Sequence, residues 1–264
     1  MFSNRSPFAW LMLPLLACFS LFALAEPSEG AAQALHLLGY LGADYPATVN
    51  AGQVVDPSEY REQLEFAGVL QGLIVALPAN AGRDELEQGV QRLRGAIEAR
   101  AAGEAVAAQA RQLAVRLAEL YQVRQAPAIT PDAARGAPLY AQHCAVCHGD
   151  SGLGDGPAGL GLEPPPANLR DVARMDRLSL YDLFNTIGLG IEGTDMPAFA
   201  DQLDERERWD LASYLASLSA GQADTGKPFA LAELAGKTPA EIAASGGDVA
   251  AFRAQRVQPP QVQR

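Results

Sequence analysis

Residues 144–148 read Cys-Ala-Val-Cys-His, and this short stretch limits the fold more than any other part of the chain. Two thiols three apart share one helical turn, and the next residue projects its imidazole from the same side. In an exported chain such a pair closes a small disulfide loop or belongs to something that consumes both thiols. A redox C-x-x-C motif wants a βαβ setting, and no strand alternation competes with the helical patterns described below. A zinc site wants further Cys or His ligands, and beyond the first 25 residues those are His36 and His143 alone. The reading that uses all three side chains is covalent haem attachment. Cys144 and Cys147 would reach the two vinyl groups on one porphyrin edge, and His148 would address the iron.

The first 25 residues decide how many thiols there are to place. Arg5 supplies a positive start, an apolar run follows over residues 8–25, and Ala23-Leu24-Ala25 ends it with small residues. This is the pattern of a signal peptide cleaved before Glu26, which places the protein in the periplasm and removes Cys18. A retained anchor helix is the competing reading, disfavoured by Pro14 and by the small-residue ending. A lipoprotein site at Cys18 fits poorly because the residues after it stay mostly apolar. No other stretch has the ~18 apolar residues needed to cross a bilayer.

The 264 residues allow about two domains, and 48% apolar against 19% charged residues suffices for a core. The net charge of −11 argues against nucleic acid as a partner. Four amphipathic helices, over residues 32–41, 57–77, 86–97 and 106–120, predict an antiparallel bundle in residues 26–128. Asp56-Pro57 caps the second of them. Residues 129–220 hold a new helix leading into the cysteine pair, a glycine-rich loop, the run Pro164-Pro165-Pro166, a helix capped by Ser179, and a last helix opened by Asp204 and Glu207. This segment carries a net −8 and no lysine. Residues 221–264 read as a linker-like, irregular tail with room for two short helices, after Thr238 and after Gly247, and ending in Pro259-Pro260. The expected class is all-α.

The sixth iron ligand follows by elimination. Beyond residue 25 the methionines are Met175 and Met196. Met196 lies in a loop fixed by Pro197, 48 residues after His148, far enough to wrap to the opposite face. Met175 sits among charges, where a surface or packing role fits better. His143 adjoins Cys144 and is tied to the proximal side. His36 belongs to an apolar helix, as a buried or rim histidine. His148 and Met196 are therefore the expected metal ligands, and such a pair raises the iron potential, which suits electron transfer. The proximal histidine needs an acceptor for its other N–H, and the proline run offers carbonyls. Pro165 is the expected acceptor, with Pro164 close behind. Gly136 with Tyr140, and Trp209 with Tyr214, would let the first and last helices of this segment cross closely.

With C-A-V-C-H-G, G-L-G-D-G-P, P-P-P-A-N-L-R-D and M-P-A-F in this order, residues 131–220 resemble a class I c-type cytochrome domain. The resemblance implies a small helical fold holding one haem c between His148 and Met196, attached after export. A looser resemblance covers the whole chain. The segments H-L-L-G-Y-L-G-A-D-Y, S-E-Y-R-E-Q-L-E-F-A and A-F-R-A-Q-R-V-Q-P-P-Q-V are similar to the soluble N-terminal half of bacterial cytochrome c/iron-permease fusions. It implies a membrane iron permease as a partner. Within it, Arg61-Glu62-Gln63-Leu64-Glu65 matches an R-E-x-x-E iron pattern. Glu62 and Glu65 share a helix face, either as iron ligands or as a solvated surface. No acid–base pair or nucleophile stands out, so no enzymatic bond-making is expected. The expected function is periplasmic single-electron transfer with a redox partner of basic or neutral docking surface. The alternatives are an iron-binding accessory module of a permease and a haem-based sensor in which a gas displaces Met196.

Overall fold

A computed structural model describes residues 29–220 and 229–257. The expected signal peptide at 1–25 lies outside the described residues, as does the chain beyond Val257. The fold is all-α apart from a two-stranded antiparallel ribbon, β1 (Val49–Asn50) and β2 (Gln53–Val54). Helix α1 (Glu29–Thr48) precedes it, and α2 (Pro57–Ala76), α3 (Arg83–Glu98) and α4 (Gly103–Tyr121) follow. Asp56 caps α2 by accepting the amides of Ser58 and Glu59 at 3.0 and 3.1 Å, with Pro57 in the first turn. That uses two orphan N–H groups and a residue with none to lose. The bundle closes as α1 packs on α2 and α4, and α3 bridges those two.

Helix α1 is apolar on nearly every side, with Leu35, Leu38, Leu41 and Tyr45 on one flank and His36, Leu37 and Tyr40 also buried. A helix of that kind must be covered on more than one face. The second cover is α8 (Leu180–Leu189), part of a layer that also holds α5 (Ala133–His143), the single turn α6 (Ala145–His148), the short α7 (Val172–Met175) and α9 (Glu205–Ser219). Gly39 lies where a Cβ would strike the Asp182 carboxylate, so α1 and α8 touch closely there. One apolar core runs unbroken from Leu38 and Leu41 into Leu183, Ile187 and Leu215. The boundary expected near residue 128 is therefore a change of layer within one core.

α5 and α9 cross as the sequence predicts. A Cβ at Gly136 would fall on the Asp210 carbonyl, and the rings of Tyr140 and Tyr214 are 5.2 Å apart. Arg135 clamps the crossing with two bonds to the nearly buried Asp210 carboxylate, at 2.6 and 2.7 Å. Ser179 and Asp204 both form capping boxes, with Asp182 and Glu207.

The tail departs from expectation. Residues 229–257 are not a linker: the two short helices expected after Thr238 and Gly247 are α11 (Pro239–Ala244) and α12 (Val249–Val257), an unexpected α10 (Leu231–Gly236) precedes them, and α12 packs on α9. Phe252 is wholly buried, Ser213 donates to the Arg256 carbonyl at 2.8 Å, and Arg253 pairs with Asp176. Helices this short carry few apolar residues each, so their periodicity is faint although their docking is firm. Truncating Phe252 to Ala should lower unfolding stability by about 3–5 kcal/mol, seen as an earlier denaturant midpoint with an unchanged slope. A midpoint unmoved by Phe252→Ala would mean that the segment is linker after all.

Candidate functional site

Cys144 ends α5, and the turn it opens is held by its carbonyl, which accepts the amides of Cys147 and His148 at 3.1 and 2.9 Å. Both thiols are free, Cys144 buried and Cys147 half-buried. Burial, with the neighbouring Cys147, pushes the Cys144 thiol up to about 12. A nucleophilic or redox-catalytic cysteine shows the opposite shift. The glycine-rich loop folds tightly over this turn. Gly149 and Gly154 have φ of +77° and +82°, and a Cβ at Gly156 would strike the Cys147 carbonyl.

The His148 imidazole has its Nδ1 3.1 Å from the Ala167 carbonyl. An N–H is the only partner a carbonyl accepts, so Nδ1 is the protonated nitrogen and Nε2 keeps a free lone pair. Burial holds the ring below the usual histidine range, with the Ala167 bond opposing it, which favours the neutral imidazole. The acceptor is Ala167, not the expected Pro165. Extended proline backbone turns about 120° per residue, so which carbonyl faces the ring depends on where the run ends. Pro164, Pro165 and Pro166 instead wall the cavity.

That cavity, of about 670 Å³, brings Cys144, Cys147, His148 and Met196 together. Met196 is carried by a loop folded back on the end of α8. Its amide donates to Thr194 Oγ1 at 3.2 Å, its carbonyl accepts the Ile191 amide at 3.1 Å, and Phe199 N–H reaches the Ile187 carbonyl at 3.0 Å. Met175 is buried away from the cavity and serves packing. His143 also lines the cavity, its ring 5.9 Å from that of Phe199. A volume in the 300–1,000 Å³ range of small-ligand sites, a largely apolar wall, two thiols on one turn, an imidazole and a thioether together fit a covalently held haem.

The sequence reading left α1 out of this site. His36, Tyr40, Asp44 and Thr48, one turn apart in succession, all line the cavity. His36 Nε2 donates to the Gly190 carbonyl at 3.0 Å, at the root of the Met196 loop, and burial depresses its pKa to about 4. Asp44 holds Arg174, the one arginine or lysine on the cavity wall among the described residues, by bonds of 2.7 and 3.1 Å. The signal was present: an all-apolar α1 interrupted by polar residues at i, i+4 and i+8 has a face to give to a site.

A family described as cytochrome C oxidase, cbb3-type, subunit III, matches residues 131–215. Those residues are a c-type cytochrome domain. The cytochrome domain implies haem c and electron transfer through it. No curated protein matches the chain at a significant level. Among solved structures, a chain of the Kuenenia stuttgartiensis reducing HAO-like protein complex Kustc0457/Kustc0458 aligns at 24% identity and a TM-score of 0.31. The alignment spans 45% of this chain and 60% of that one, and so loose a superposition carries no argument.

A histidine kept neutral in the fold supports stability fully above the unfolded value of 6.5, and that support fades as pH falls towards about 4. Wild type should therefore lose stability over this window relative to His36→Phe, by up to roughly 3 kcal/mol. Parallel pH profiles of the two denaturation midpoints would contradict the assignment.

Proposed function

We propose that the chain is an exported, periplasmic c-type cytochrome that passes single electrons through one haem, bound by thioethers to Cys144 and Cys147 and ligated by His148 and Met196. The observation that carries this is the convergence of those four side chains on one cavity, with His148 Nδ1 already committed to Ala167. When bound, the haem supplies a reversible one-electron couple. The protein's part is to hold its surroundings still. Ala167 fixes the proximal ring, His36 fixes the root of the Met196 loop, and the proline wall and α1 keep water away. With nothing to rearrange, little energy is lost on each change of charge. No enzymatic bond-making is assigned to the chain itself.

The partner proposed is a redox protein with a basic or neutral docking surface, since residues 131–220 carry a net −8. A subunit of an oxidase or of an iron-uptake assembly fits that description, and the resemblance of residues 31–125 to permease fusions favours the second. No helix among the described residues is long and apolar enough to cross a membrane. The reading as an iron-binding module has less behind it. Glu62 is bonded by the Tyr40 hydroxyl, and among the described residues no three His, Cys, Asp or Glu side chains are grouped to hold an ion.

Two outcomes are expected. Met196→Ala, matured in a host that attaches haem, should keep its haem but lose the long-wavelength absorption of methionine-bound ferric iron, show a lower potential and bind carbon monoxide when reduced. Unchanged spectra would remove Met196 from the iron, and carbon monoxide binding to reduced wild type at low concentration would favour the gas-sensor reading. Electron exchange with a basic partner should slow as salt rises, and a salt-independent rate would contradict the docking claim.

A further inference from the structure

We propose that Glu62 is the proton acceptor that accompanies each electron entering the cavity, linked to it through Tyr40. This rests on the haem reading above and adds to it a proton-coupled activity located in the N-terminal bundle.

The geometry starts at the cavity wall. Tyr40 lines the cavity from α1, and its ring is fixed edge-on against Phe66 with centroids 5.1 Å apart. Its hydroxyl reaches out of the cavity and donates to Glu62 Oε2 at 3.5 Å. Glu62 is half-buried at the seam of α1 and α2. Two further carboxylates, Asp44 on α1 and Glu59 on α2, stand between this seam and the cavity and line it directly.

Charge at the seam is one-sided. From its own helix Glu62 faces Glu59 and Glu65, and from α1 it faces Asp44 and Tyr40. The cation at this seam, Arg174 of α7, spends both its bonds on Asp44. From α3, the Arg94 guanidinium bonds Glu98 and Gln71, more than two turns along α2 from Glu62. Burial first, then Glu59 and Asp44, raise the Glu62 carboxyl to about 7, the Tyr40 bond acting the other way. Tyr40 itself is pushed well above the ordinary phenol value by burial and by Asp44, so its proton stays on and it remains a donor.

A negative charge arriving in the cavity makes a second one at Glu62 costlier. Glu62 therefore takes a proton from water onto a carboxylate oxygen as one electron arrives from a reduced one-electron donor protein, and releases that proton to water when the electron leaves to an oxidised one-electron acceptor protein. By reciprocity, losing that proton must make the electron harder to add. The Arg-Glu-x-x-Glu pattern thus has a use in which Glu62 binds a proton and no iron.

The test is an optical redox titration of the full-length holoprotein between about pH 5.5 and 8.5. At fixed ambient potential the reduced-to-oxidised ratio should fall roughly three- to tenfold as pH rises from 6 to 8, tenfold corresponding to 59 mV for one electron. Glu62→Gln should lose at least half of this dependence. Tyr40→Phe should keep it but move its midpoint to higher pH, because the hydroxyl bond that stabilises the ionised carboxylate is gone. A reduced-minus-oxidised infrared spectrum should show a protonated carboxyl band in wild type that is missing in Glu62→Gln. A pH-independent wild type, a dependence unchanged in Glu62→Gln, or an unmoved midpoint in Tyr40→Phe would each overturn the inference while leaving the haem reading intact. A holoprotein preparation without haem bands would sink both.

Discussion

The hydrogen bond from His36 to the Gly190 carbonyl joins the two halves of the molecule at the point where function needs rigidity. Met196 hangs on a loop, and a loop left to itself samples many conformations. Here its root is held from outside, by a histidine of α1 that burial keeps neutral. The same helix meets Asp182 at Gly39 and reaches Arg174 through Asp44. α1 is thus at once the centre of the bundle core and one wall of the cavity. The bundle cannot shift without disturbing the distal side of the site.

The proximal side is organised by backbone geometry. His148 and both thiols ride on one turn whose hydrogen bonds are local, and the ring is finished by Ala167 after the proline run. Of the two proposed iron ligands, His148 is fixed by contacts within 19 residues, whereas the root of the Met196 loop is also held by a contact across 154 residues. That asymmetry makes the Met196 loop the side of the site that folding of the bundle can adjust.

Much of this could be read from residues alone. Cys144, Cys147, His148 and Met196 fall on one cavity as the motif and the elimination required, and the caps at Asp56, Ser179 and Asp204 mark true helix starts. Three things were hidden. The acceptor for His148 depends on the exact end of an extended run, which spacing does not resolve, and so Pro165 gave way to Ala167. The docking of the tail was hidden, because its burial comes from a few residues such as Phe252, although the helix starts after Thr238 and Gly247 were legible. The part α1 plays was legible only in its polar residues His36, Tyr40 and Asp44, one turn apart on an otherwise apolar helix, and which segment they face leaves no local pattern.

The central claim is that one haem is covalently held in the cavity by Cys144 and Cys147. Intact-mass measurement of the denatured protein, purified from a host with haem-attachment machinery, tests it most directly. The account predicts a single species heavier than the polypeptide by one haem, and loss of that increment when both cysteines are replaced by serine. An unmodified polypeptide mass, or an increment that survives the double replacement, would contradict it.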